Sequence, residues 1–339
     1  MKKLFIIGNG FDLAHNLKTR YSDFLLWYIN KVIRQIGQFQ YAKFESDLII
    51  VDGHGRIVRE FESLADIDER TKHLPPVTIE GKTNFMNELL SMYAQSNWVD
   101  IEYLYYQTVL KIYRPYERNH NINKAEVSKL NDCFDKIKCE LSEYLLTVKP
   151  IAEIDYTILS NFKIEMRSVA PEDTMILVFN YTGTIEKYRV QLGISSDNVI
   201  YIHGKLNDRE NPIIFGYGDE MDGNYGKLED LNYNEILRNM KSFSYFKTIN
   251  YRRLSGFINT GIYNTVIMGH SCGISDRVLL NNIFCNSKCQ SIKIYYHKRG
   301  DNSNDHFEKT QEISRHFKAD DKSRMRDLII PFPQSGALS

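Results

Sequence analysis

The run Lys3-Leu-Phe-Ile-Ile7 leads straight into Gly8-Asn9-Gly10, and a helical pattern begins at Phe11. No other feature of the chain constrains its fold as much. An apolar run without alternation suits a strand buried on both faces, as in a parallel sheet covered by helices. Glycines at such a strand–helix turn let the backbone approach a ligand, and the N–H groups of the helix start favour phosphate. The dinucleotide fingerprint G-x-G-x-x-G needs a third glycine at position 13, where Leu13 stands. A P-loop lysine is also missing, which argues against a P-loop ATPase. Asp12 suits the alternative role of a helix cap.

Further short apolar segments rich in Ile, Val, Phe and Tyr come late. They predict strands at Met175–Phe179, Val199–His203, Pro212–Phe215, Thr265–Met268 and Ile292–Tyr296. Between the first strand and these lies a long stretch of helical periodicity. Val127, Leu130, Phe134, Ile137, Leu141, Leu145 and Val148 recur every three or four residues and predict a helix over 126–147. Helices are also expected over 22–36, 84–95, 99–113, 232–247 and 303–317, and after Asn180 through Ile185, Tyr188 and Leu192. The stretch 50–83, with Gly53, Gly55, Pro75, Pro76 and Gly81, reads as a hairpin or mobile loop. The fold class is therefore α/β, a mostly parallel sheet whose first strand–helix unit is separated from the rest by a large helical insertion. The expected division is a discontinuous nucleotide-binding core of 1–24 and 168–330, an insertion of 25–167, and a frayed tail of 331–339.

Composition removes several classes of function. In 339 residues, 43 Lys and Arg balance 43 Asp and Glu, which does not favour a nucleic-acid partner. Hydrophobic residues at 42% and charged residues at 25% exclude whole-chain disorder. Cys133, Cys139, Cys272, Cys285 and Cys289 are odd in number and irregular in spacing, so they read as free thiols in a reducing compartment. Cys285 and Cys289 have no second close pair to complete a zinc site, and no metal is expected. The apolar run Leu4–Ile7 is too short for an export signal, and no segment is long enough to span a membrane. A cytoplasmic location is expected.

Four motifs stand at the ends of expected strands. Gly8-Asn9-Gly10-Phe11-Asp12 follows the first. Asn180-Tyr181-Thr182 follows 175–179, although Asn is also a common turn residue. His203-Gly204 follows the next strand, where an imidazole can move a proton near neutral pH. Gly269-His270-Ser271 follows 265–268 and offers N–H and hydroxyl groups to phosphate or ribose, or a turn capped by a serine or Asp276. Together they place small and polar groups along one sheet edge, where open α/β sheets bind ligands. Gly269-His-Ser-Cys-Gly273 also fits the G-x-S-x-G nucleophile elbow, with Asp276 or Asp301 and His306 or His316 to complete a triad, though it comes late in the chain. Asp100 and Glu102, after Trp98, are well placed to meet a helix dipole.

The run Ile7 to Phe24 resembles the AbiH family of bacteriophage abortive-infection proteins. The resemblance continues, in order, through Trp98, Asp100 and Glu102, then Phe179-Asn-Tyr-Thr182, Ile202-His-Gly204 and Gly269-His-Ser271. The same order is distantly similar to sirtuin-like NAD-consuming domains and implies a Rossmann-like core. In that wider group the Asn helps place the nicotinamide ribose and water, and the His acts as base toward a ribose hydroxyl. The resemblance therefore implies Asn180 and His203 as catalytic residues. It implies Gly8, Gly10, Gly269 and Ser271 lining the dinucleotide, with Asn9, Phe11, Asp12, Tyr181, Thr182, Gly204, His270 and Asp276 around it. Thr182 departs from the group, where an Asp often follows the Asn, and no four-cysteine zinc module follows His203. Protein deacetylation is thus disfavoured. The expectation is an anti-phage effector with NAD+ as substrate, working as a homo-oligomer or with a partner defence protein. The rivals are a nucleotide-sensing module without turnover, and a nuclease or other hydrolase.

Overall fold

A computed structural model describes residues 1–36, 43–53, 59–67, 77–95, 100–301 and 303–339. In chain order its strands are β1 (Lys2–Ile7), β2 (Phe44–Glu45), β3 (Ile49–Asp52), β4 (Thr78–Gly81), β5 (Thr174–Val178), β6 (Val199–Tyr201), β7 (Tyr263–Met268), β8 (Cys289–Tyr296) and β9 (Gly336–Ala337). Two compact units emerge. One comprises 1–18, 148–223 and 240–339, and the other 19–147 and 224–239.

The first unit holds a six-stranded sheet in the order β6-β5-β1-β7-β8-β9, with every adjacent pair parallel. Numbered by appearance within the sheet this is 3-2-1-4-5-6, the doubly wound order of dinucleotide-binding folds. The apolar run of β1 behaves as its composition demands, since Leu4 to Ile7 are at most 1% exposed. Leu4 and Ile6 join one core with Leu254, Ile258, Leu280, Ile283 and Ile313. Phe5 and Ile7 join another with Phe11, Ile158, Phe162, Ile185 and Tyr188. Helices thus cover both faces of the sheet: Asn250–Asn259, Arg277–Phe284 and His306–Ser314 on one, Tyr156–Glu165 and Ile185–Gln191 on the other.

The second unit pairs β2, β3 and β4 in a small antiparallel sheet beside long helices. Lys124–Thr147 buries Val127, Leu130, Phe134, Ile137, Leu141 and Leu145, the stripe its periodicity predicts. Asn131 accepts from the Tyr105 hydroxyl at 2.7 Å and donates to the Glu235 carbonyl at 2.8 Å. Asp100 caps Ile101–Tyr113 by accepting from Tyr103 N–H, and Glu102 lies in the first turn, where an acidic side chain meets the helix dipole. Trp98, and residues 54–58 and 68–76 of the expected hairpin or loop, lie outside the described residues.

Several local expectations are corrected. Pro212–Phe215 is not a strand. The eight residues from Gly204 to Asn211 are too few for a parallel crossover, which needs about a dozen or more. The segment instead folds back, and Ile214 N–H donates to the His203 carbonyl at 2.8 Å. The helix expected over 232–247 is broken into short turns, with Asn232 at φ 49° and Met240 extended. The tail is not frayed: β9 pairs with β8, Leu338 is buried, and Asn161 donates to the Ala337 and Leu338 carbonyls. The helix Tyr156–Glu165 packs Ile158 and Phe162 into one core with Phe5 and Ile7 of β1 and Ile176 and Val178 of β5.

Candidate functional site

The carboxyl ends of β6, β5, β1 and β7 carry the four motifs, all within the first unit. The glycines are needed first for packing. Gly10 N–H donates to the Gly269 carbonyl at 2.7 Å. A Cβ on Gly269 would meet Phe11 N at 2.1 Å, and one on Gly8 would meet the His270 Cα at 2.5 Å. Gly269 also takes φ 76°, where only glycine is unstrained. Gly204, at φ 84°, lies against the Pro212 carbonyl. Phe11 is an apolar core residue, in ring contact with Phe162, Tyr188 and His15.

A buried polar cluster forms beside these loops. Asp276 stands just before the helix Arg277–Phe284 and does not cap it. Its Oδ1 accepts from Lys241 Nζ at 2.7 Å and lies 3.1 Å from His203 Nε2. Its Oδ2 is 3.6 Å from His270 Nε2. The Phe179 ring meets both imidazoles edge-on, with centroids 5.0 Å from His203 and 4.1 Å from His270. The Tyr245 hydroxyl is 3.5 Å from His203 Nε2. His203, His270, Lys241 and Asp276 are all buried.

The electrostatics follow from this burial. Desolvation alone would push the Asp276 carboxyl up, but Lys241 and then His203 hold it well below the usual carboxylate range. Burial, and after it the Lys241 charge, lowers the His203 pKa. Burial lowers His270 to about 3. Asp276 is thus the anion, and both imidazoles are neutral near pH 7. His270 Nδ1 accepts from Cys272 N–H at 2.9 Å, so its basic nitrogen is taken. His203 differs: Nε2 faces the carboxylate, and among the described residues Nδ1 has no hydrogen-bond partner. Such a tautomer leaves Nδ1 as the base.

A second cluster joins β1 and β5. Thr182 Oγ1 donates to Asp12 Oδ2 at 2.6 Å, and Thr184 Oγ1 lies 3.4 Å from Thr182 Oγ1. Asp12 is 1% exposed, and its Oδ1 has no hydrogen-bond partner among the described residues. Burial raises its pKa, with Thr182, Thr184 and Asn180 opposing. Asp12 does not cap its helix, whose N-cap is Gly8. Asn180 is buried nearby. Asn9 opens the helix, and the Tyr181 hydroxyl donates to the Ile214 carbonyl at 3.1 Å.

Ser271 is not assembled into a triad. His316 Nε2 bonds the Cys272 carbonyl, His306 faces Ser335, and Asp301 accepts from Ser303. Among the described residues no group of three or more His, Cys, Asp or Glu side chains could hold a metal ion. Nor, among them, is any helix long and apolar enough to cross a membrane.

The family described as Bacteriophage abortive infection AbiH matches residues 4–298, a span that takes in every strand-end motif. The chain belongs to the AbiH family. A phage abortive-infection role follows from that membership. A search of curated proteins finds no match. Within this AbiH chain, Lys241 and Tyr245 have no signature in the sequence. They reach His203 and Asp276 only because the chain between β6 and β7 breaks at Met240, where Lys241 N–H donates to the Tyr217 carbonyl at 2.8 Å.

Proposed function

We propose that this AbiH protein is an abortive-infection effector that hydrolyses NAD+ at the nicotinamide–ribose bond. The observation that carries the reading is the His203–Asp276 pair at the carboxyl edge of a sheet with dinucleotide-fold strand order. Cleavage builds positive charge on the sugar carbon as the C–N electron pair leaves with nicotinamide. Water then adds to that carbon, and its proton passes to His203 Nδ1, directly or through a ribose hydroxyl. Asp276, kept anionic by Lys241, orients the imidazole and stabilises it once protonated. Asn180 places the ribose and the water with its amide. General base help supplies about 10²–10⁴-fold, so positioning supplies the rest.

Burial favours a second reading, nucleotide binding without turnover. His203 is only 5% exposed, and the Gly8 and Gly269 loops already pack on each other. One experiment separates the two. Purified protein is incubated with NAD+, and free nicotinamide is followed by chromatography beside NAD+ binding. Nicotinamide release lost in His203→Ala and Asn180→Ala, with circular dichroism unchanged, supports hydrolysis. Binding with no release supports the sensing module, and release retained in both variants refutes the site.

A further inference from the structure

We propose that the opposite edge of the same sheet holds a binding site for a small oxyanion, built on Lys3 and Lys293. Where the apolar core would be expected to continue, the start of the sheet turns polar on one face. Register places Lys3, Asn264 and Ser291 side by side across β1, β7 and β8, with Lys293 one step further along beside Val266. These residues line a cavity of about 310 Å³ together with Glu165 and Gln334.

The charges in the cavity do not balance. Glu165, at the end of the helix Tyr156–Glu165, accepts from Lys3 Nζ at 3.0 Å through Oε2, and from Lys293 Nζ at 2.8 Å through Oε1. The Tyr295 hydroxyl also donates to Oε1, at 3.1 Å. One carboxylate therefore serves two ammonium groups and a phenol. Its two oxygens are engaged, while each ammonium carries three donors. Lys3 is 7% exposed, a burial that lysine accepts only when it is well paired. Two lysines against one glutamate leave a net charge of +1 in a concave polar pocket. Ser291 and Gln334 add neutral donors, while the Asn264 amide donates to Met1 Sδ at 3.6 Å. That set fits a small oxyanion, a carboxylate with one negative charge or a phosphate with about one to two, with room for the small molecule that bears it.

Lys3 and Ile7 are four strand residues apart, about 13 Å along β1. The occupant is therefore not a ligand of the strand-end site, and the proposal stands apart from the reading of His203. Its natural role is to tie β1, β7, β8 and the helix ending at Glu165 together, so that oxyanion concentration sets the stability of the sheet.

The test uses the full chain in calorimetric thermal scans, titrated with inorganic phosphate or with acetate against chloride at matched ionic strength. A saturable rise in Tm with phosphate or with acetate is expected, and the better of the two identifies the oxyanion. The half-saturating concentration should rise at least tenfold in Lys293→Met and fall in Glu165→Gln, which leaves both lysines without their counter-charge. Lys293 is the partly exposed member of the pair, so its replacement spares the buried Lys3 contact. No rise beyond chloride, or the same half-saturation in Lys293→Met as in the unaltered chain, overturns the proposal.

Discussion

Replacing Lys241 by Met would isolate a buried carboxylate. Lys241 Nζ sits 2.7 Å from Asp276 Oδ1, with its side chain fully buried and that of Asp276 10% exposed. Without it, among the described residues Asp276 faces two neutral imidazoles. Breaking a buried ion pair from one side costs about 3–5 kcal/mol, because the remaining charge keeps its desolvation penalty. In a unit of roughly 190 residues, each kcal/mol lowers Tm by about 2–4 °C, so the loss is about 6–20 °C. Asp276→Asn should also destabilise, since the buried ammonium loses its carboxylate. The double variant Lys241→Met/Asp276→Asn removes both charges, and its loss should fall short of the summed single losses by about 1–3 kcal/mol. A second reading comes from NMR titration of His203. Burial holds its pKa down first and Lys241 next, so the Lys241→Met variant should titrate at higher pH. Calorimetric losses that add within about 0.5 kcal/mol, together with an unmoved His203 titration, would refute the coupling.

Gly269→Ala should lower Tm by several degrees, because it combines a left-handed backbone costing about 1–2 kcal/mol with a Cβ 2.1 Å from Phe11 N. Gly256→Ala, in an open helical position, should instead raise Tm slightly. Acid should destabilise the first unit. Burial lowers His270 to about 3 and His316 to about 4. Their unfolded forms take up protons near pH 6.5 while the folded forms do not, so stability is level above that pH and falls below it. The slope approaches about 1.4 kcal/mol per pH unit for each histidine, until the folded pKa values are reached. A Tm unchanged between pH 7.5 and 5 would contradict this. Deleting residues 336–339 removes β9 and the buried Leu338, worth about 1.5–3 kcal/mol of apolar burial, and should lower Tm measurably in a thermal scan.

The sequence by itself determined the parallel α/β core, because runs such as Leu4–Ile7 and Met175–Val178 are apolar at every position and can be satisfied only between two layers of helices. It also determined that Gly8, Asn180, His203 and Gly269 share one edge, since parallel strands present their carboxyl ends together. Asp100 and Glu102 were readable as acidic residues at a helix start, and the structure shows Asp100 capping that helix by accepting from Tyr103 N–H. Tertiary structure alone decided what those edge residues touch. Gly10 and Gly269 serve each other's backbone, a contact between positions far apart in the chain that no spacing rule encodes. The stretch 232–247 has helical periodicity, yet it breaks so that Lys241 can reach Asp276, because burying that carboxylate without a cation would cost more than a few lost helical bonds. The polar tail escaped local reading for the same kind of reason. A two-residue strand has no pattern of its own and exists only because β8 offers it a ladder.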